Sequence, residues 1–107
     1  MEKVLKELRR FSGRLIVVFG AGGNRDEGKR PLMGETAEKF ADIIILTSDN
    51  PRFEDPERII DDIARGIKER KYYRIPDRKE AISFALTWQE RGMLLLFWER
   101  GMRTIRR

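Results

Sequence analysis

Two short segments of this 107-residue chain bring together residue types that hold anions. The first, Gly20 to Arg30, reads GAGGNRDEGKR. Its glycines let backbone amides approach a ligand closely, and Arg25, Lys29 and Arg30 add positive charge. Gly23 to Lys29 has P-loop spacing up to the lysine, but Arg30 stands where a magnesium-binding Ser or Thr is needed, so a true P-loop is excluded. The dinucleotide fingerprint fails as well, because Arg25 occupies its third glycine position. What is left is either an anion-holding loop or a solvated Gly-rich turn. The second segment is Asp49-Asn50-Pro51-Arg52, either a plain Asx-Pro turn or a clamp. As a clamp, the proline-stiffened turn fixes a carboxamide and a guanidinium two residues apart, suited to the carboxylate of a zwitterionic amino acid.

The elements that must position these loops follow from periodicity. Val4, Leu5, Leu8 and Phe11 recur at helical spacing in a charged background, giving an amphipathic helix ended by Ser12-Gly13. Leu15 to Phe19 (LIVVF) and Asp42 to Thr47 (DIIILT) are short, β-rich, continuously apolar runs, as in parallel strands buried on both faces. Between them Pro31 suits a first helical residue, and Leu32, Met33, Thr36, Ala37 and Phe40 form the helix face. Asp55-Pro56 starts a helix by N-cap and first-turn proline, with Ile59, Ile60, Ile63 and Ile67 inward. Tyr72 to Ile75 is a short strand, Asp77 with Glu80 opens a helix carrying Ala81, Ile82, Ala85 and Leu86, and Met93 to Phe97 is the last strand. The order α-β-α-β-α-β-α-β predicts a Rossmann-like α/β fold, a mainly parallel sheet with helices on both faces. Ligands of such sheets sit beyond the carboxyl ends of the strands, where the loops after Phe19 and Thr47 emerge.

Composition narrows the chemistry. Cysteine and histidine are absent, which removes disulfides, zinc sites and Ser-His or Cys-His catalytic pairs. No catalytic or metal-ligating residue is expected. No run approaches the roughly 18 to 20 apolar residues of a membrane span, and the N-terminus lacks a signal-peptide core, so a cytoplasmic protein without membrane contact is expected. The net charge of +5 invites a nucleic-acid reading. Four arginines (Arg100, Arg103, Arg106 and Arg107) against Glu99 place +3 of it in the last ten residues, and the body is near balance. No nucleic-acid partner is expected.

Taken together, the two motifs resemble a known family. GAGGNRDEGKRPLMGETAEKFADIIILTSDNPRFEDPERIIDDIARGI is similar, almost without interruption, to the opening of the C-terminal domain of Mur ligases, which build peptidoglycan precursors for the cell wall. The family pattern there is GxGGxRDxGKRPxM, a strand, TSDNPR, then DP and a helix; IPDRKEAI matches the segment that follows, so the resemblance covers most of residues 2 to 90. The resemblance implies an ATP-dependent ligase. In it a central domain holds ATP and magnesium, an N-terminal domain binds the UDP end of the substrate, and the C-terminal domain brings the incoming amino acid. It implies that Arg25, Asn50, Arg52 and Asp49 contact the amino acid, and that Asp26, Lys29 and Arg30 lie on the nucleotide side. An Arg in the DNPR turn marks the members that add meso-diaminopimelate, so Arg52 carries the specificity. Isolated from those two domains, the chain is expected to hold no cofactor tightly and to be inactive alone. A stand-alone anion- or nucleotide-binding module is the alternative.

The likeness breaks at the end. The family reads GKGHE after its last strand, with a glycine and a glutamate on diaminopimelate, whereas this chain reads Trp98-Glu99-Arg100-Gly101-Met102. Trp98 to Arg106 written as TGG GAA AGG GGC ATG AGG ACT ATC AGA, and read from the third base, gives GKGHEDYQ. The expectation is therefore a ligase-like domain over 1–97 followed by an aberrant basic tail, 98–107, produced by a reading-frame shift. Such a domain lacks its last elements, and the open sheet edge invites a homodimer.

Overall fold

The computed structural model describes residues 2–11, 14–21, 28–48, 55–69, 71–99 and 102–106. The expected contacts Arg25, Asp26, Asp49, Asn50 and Arg52 lie outside the described residues.

The apolar runs become the centre of a five-stranded sheet. β1 (Leu15–Phe19) pairs in parallel with β2 (Ile43–Leu46) on one side and β4 (Leu94–Glu99) on the other. β3 (Tyr73–Arg74) extends the sheet in parallel beyond β2, and β5 (Met102–Arg106) runs antiparallel to β4, giving the order β3-β2-β1-β4-β5. All five residues of β1 are buried, because a parallel sheet covered on both faces leaves no wet side. Alternation then divides the core. Leu15, Val17 and Phe19 join Ile44, Leu46 and Ile60 on one face, while Ile16 and Val18 join Ile45, Ala81, Ala85 and Leu95 on the other. Each fully buried Leu, Ile or Val contributes about 1.5–3 kcal/mol relative to an exposed one.

The first face carries α1 (Glu2–Phe11), α2 (Lys29–Phe40) and α3 (Pro56–Ala64), and the second carries α4 (Arg78–Gln89). The chain moves outward from β1 to β2 to β3 and then returns to the far side of β1 as β4. Right-handed crossovers require α4 to change face at that reversal, as it does. α1 buries Leu5 completely, with Val4 and Leu8 partly buried beside it. At the amino ends of the strands, Asp42 closes the structure: its carboxylate accepts from Leu15 N at 2.7 Å and from Arg9, and its amide donates to Leu15 O at 2.8 Å. These bonds tie the start of β1 to the residue before β2.

Several boundaries differ from the sequence expectation. α2 starts at Lys29, so Pro31 is its third residue; proline is tolerated there because first-turn amides have no intrahelical acceptor. The Asp55 and Asp77 caps form as expected, accepting from Glu57 N at 3.0 Å and from Lys79 N and Glu80 N at 2.8 and 3.3 Å. β4 runs on through Trp98 and Glu99, and β5 pairs along it from Glu99↔Met102 to Leu95↔Arg106. The chain's own last segment thus pairs with β4, and among the described residues the sheet edges are β3 and β5.

Candidate functional site

At the carboxyl ends of the strands lies a cavity. β1 contributes Val18 and Phe19 and leads to Gly20, β2 leads to Thr47 and Ser48, β4 contributes Phe97 and Trp98, and the N-terminal part of α4 adds Arg78 and Ile82. This is the switch point of the sheet, where connections from β1 and to β4 leave in opposite directions, and where open α/β sheets bind ligands. The described residues enclose about 10 Å³, room for one water-sized group such as a single carboxylate oxygen. From this rim the chain departs at Ala21 towards residues 22–27 and at Ser48 towards 49–54, the two segments that carry the motifs.

Hydrogen bonds hold the rim in shape. Thr47 N donates to Phe19 O at 3.0 Å, continuing the ladder past the last paired residues of β1 and β2. Ser48 Oγ donates to Pro76 O at 2.8 Å; Thr47 Oγ1 and Ser48 N reach the same carbonyl at 3.3 Å. The turn before α4 is thereby tied to the end of β2. Since Pro76 has no amide of its own to satisfy, the contact is one-directional.

The cations near this end divide into two kinds. Arg30 is turned into the protein: it is 1% exposed and its Nη1 lies 2.9 Å from Asp62 Oδ2, on α3. Asp62 also meets the exposed Arg65 at 3.2 Å. Arg74 on β3 donates to Asp61 at 2.6 Å and to Glu57 at 3.1 Å, both on α3. Burial opposes its charge, but hydrogen bonds to Asp61, Glu57 and Tyr72 outweigh it and raise its pKa above the usual value. These two guanidiniums bind the fold together. Lys29 and Arg78, by contrast, are exposed, Lys29 at the start of α2 and Arg78 on the cavity wall.

Of the sequence-expected site residues, Lys29 and Arg30 are the two described, and neighbouring positions on one helix send them opposite ways. Arg78 and Trp98, which the sequence reading did not single out, line the cavity; Asp77 and Glu80 beside Arg78 were read as helix capping. Trp98 was assigned to the tail instead of to a strand end. Among the described residues, no three carboxylates gather to hold a metal ion, and no helix is long and apolar enough to cross a membrane.

Comparison with known proteins identifies the architecture. The family model for the Mur ligase, glutamate ligase domain, matches residues 1–98. The chain is similar to the UDP-N-acetylmuramoyl-L-alanyl-D-glutamate--2,6-diaminopimelate ligase of Aquifex aeolicus, with 52% identity over 103 residues, covering 94% of this chain and 21% of that protein. The ligase of the same name from Chlorobium phaeobacteroides is 53% identical over 97 residues, 91% of this chain and 19% of the relative. A solved structure of a ligase of that name superposes with a TM-score of 0.82 at 41% identity, over 95% of this chain and 23% of that one. The chain spans about a fifth of the length of these relatives. With the parallel sheet and the family match running together through both loop motifs, the chain belongs to the Mur ligases, as their glutamate ligase domain.

Proposed function

We propose that the chain is the C-terminal, amino-acid-presenting domain of a cytoplasmic ATP-dependent ligase that joins meso-diaminopimelate to UDP-N-acetylmuramoyl-L-alanyl-D-glutamate. One observation supports this reading: Gly20 and Ser48, at the ends of the adjacent parallel strands that precede the two motifs in sequence, line a single cavity. The names of the relatives support the substrate, and the identities above 50% support it over a more distant ligase.

In this reading a peptide carboxylate is activated as an acyl phosphate, the amine of diaminopimelate attacks it to form the amide, and ADP and phosphate leave. ATP supplies the activation. This chain's share is to hold the amino acid through Arg25, Asp49, Asn50 and Arg52, with guanidinium and carboxamide groups taking its carboxylate. Asp26 and Lys29 face the nucleotide side. Arg30 serves that side from within, by holding the first turn of α2 to α3 through Asp62. The N-terminal and central ligase domains are the partners of this domain.

Residues 98–107 are proposed to be an out-of-frame reading of the family's end. The backbone ladder of β4 and β5 is compatible with this, because pairing of peptide groups tolerates a change of side chains. Any homodimer would form by adding strands at the β5 edge. DNA that does not open into GKGHE in a second frame would remove the frame-shift proposal.

Calorimetry on the 107-residue chain tests the function. Diaminopimelate is expected to bind more tightly than lysine, and Arg52→Ala to weaken it ten-fold or more, about 1.4 kcal/mol or above, without loss of the fold. Binding of ATP alone would instead favour the stand-alone nucleotide module.

A further inference from the structure

We infer that the amino end of the sheet, opposite the cavity, is a docking surface for an anionic lipid leaflet. Along the sequence the charges ahead of the tail are near balance, but the fold separates them. Each of the four helices runs back to the start of a parallel strand, so the helix ends and the turns that follow gather at one pole. Arg10, Lys39, Lys68, Lys71 and Arg91 are exposed there. Two acids of this end are turned onto the protein's own amides. Glu38 accepts from Lys68 N at 2.9 Å and Glu69 N at 2.8 Å, and Asp42 accepts from Leu15 N at 2.7 Å and from Arg9. Among the described residues of these turns, Glu69 and Glu90 are the exposed acids.

Helix dipoles explain part of this pattern and leave the rest. A cation in the last turn of a helix is favoured by the negative end of the dipole, which accounts for Arg10 and Lys39. That effect fades within one turn, yet Lys68 and Lys71 lie beyond the end of α3 and Arg91 beyond the end of α4.

The spacing selects the partner. Lys71 precedes β3 and Arg91 precedes β4, three strands apart in the sheet, or about 14 Å. No single phosphate or carboxylate spans that distance, so the partner is an extended anion. The same four helix ends present partial negative charge, which opposes a phosphate seated close against the backbone. Contact therefore falls to long side chains reaching towards diffuse charge, as at a headgroup layer. A single-stranded polynucleotide asks for aromatic faces on which to stack. Tyr73 is the exposed aromatic beside Lys71, and its ring already packs edge-on against Phe84 at 4.8 Å. With a leaflet at this pole, the cavity at the other end faces away from it.

Sedimentation of the 107-residue chain with vesicles of equal parts phosphatidylglycerol and phosphatidylcholine tests the inference. Binding is expected at low salt, is expected to be lost as salt is added, and is not expected with phosphatidylcholine alone. Lys68→Glu combined with Lys71→Glu is expected to weaken binding about ten-fold or more. Arg58→Glu combined with Lys79→Glu makes the same change in net charge in the first turns of α3 and α4, at the opposite pole, and is expected to stay within about two-fold of the parent. All four side chains are exposed, so circular dichroism of both variants should match the parent. Equal weakening by the two pairs would show attraction by overall charge and overturn the assignment of this pole. Failure of the parent to bind the anionic vesicles, or tighter binding to a DNA oligonucleotide at the same salt, would overturn the lipid partner.

Discussion

Arg30 shows how a residue of the right type in the right motif can serve the fold. It belongs to the GKR run that pointed to a nucleotide, yet its guanidinium lies against Asp62 with side-chain exposures of 1% and 7%. Two charges removed from water are costly, and the pair repays this only while both members are present. Asp62→Ala should therefore lower stability by about 3–5 kcal/mol, whereas Arg30→Met combined with Asp62→Leu should recover most of the loss, as measured by urea unfolding. Arg65, 71% exposed, adds little: its pair with Asp62 is a surface contact of about 0–1 kcal/mol. Nothing local marks the Arg30 partner, which lies 32 residues away.

At the scale of elements, the apolar runs of β1 and β2 and the Asp-capped starts of α3 and α4 were legible because each depends on residues close in sequence. The close approach of α2 and α3 was not. A Cβ on Gly34 of α2 would collide with Ile63 O, and one on Gly66, just past the end of α3, would collide with Pro31 O, so a glycine is required at each of these two approaches. This contact and the Arg30–Asp62 pair join the two helices whose first turns follow the motif-bearing segments. Gly66→Ala must push the helices apart and is expected to cost about 1–3 kcal/mol or more, read as a lower urea midpoint with an unchanged slope. β5 was also illegible. MRTIR has no apolar run, and its strand state comes from the ladder that β4 presents.

For the whole molecule, Asp42 ties β1 to β2 at the amino ends of the strands, while the carboxyl ends surround a cavity. The chain is a fifth of its relatives' length, and in the proposed reaction it supplies a grip while other domains supply the activated carboxylate. The measurement closest to the centre of this account is amide NMR of the 107-residue chain during titration with 2,6-diaminopimelate. The account predicts saturable shifts at Gly20, Ser48, Arg78 and Trp98, with α1 and the far end of α4 unmoved. Shifts confined to α1 or to the Gln89 end of α4, with the strand-end rim silent, would contradict it.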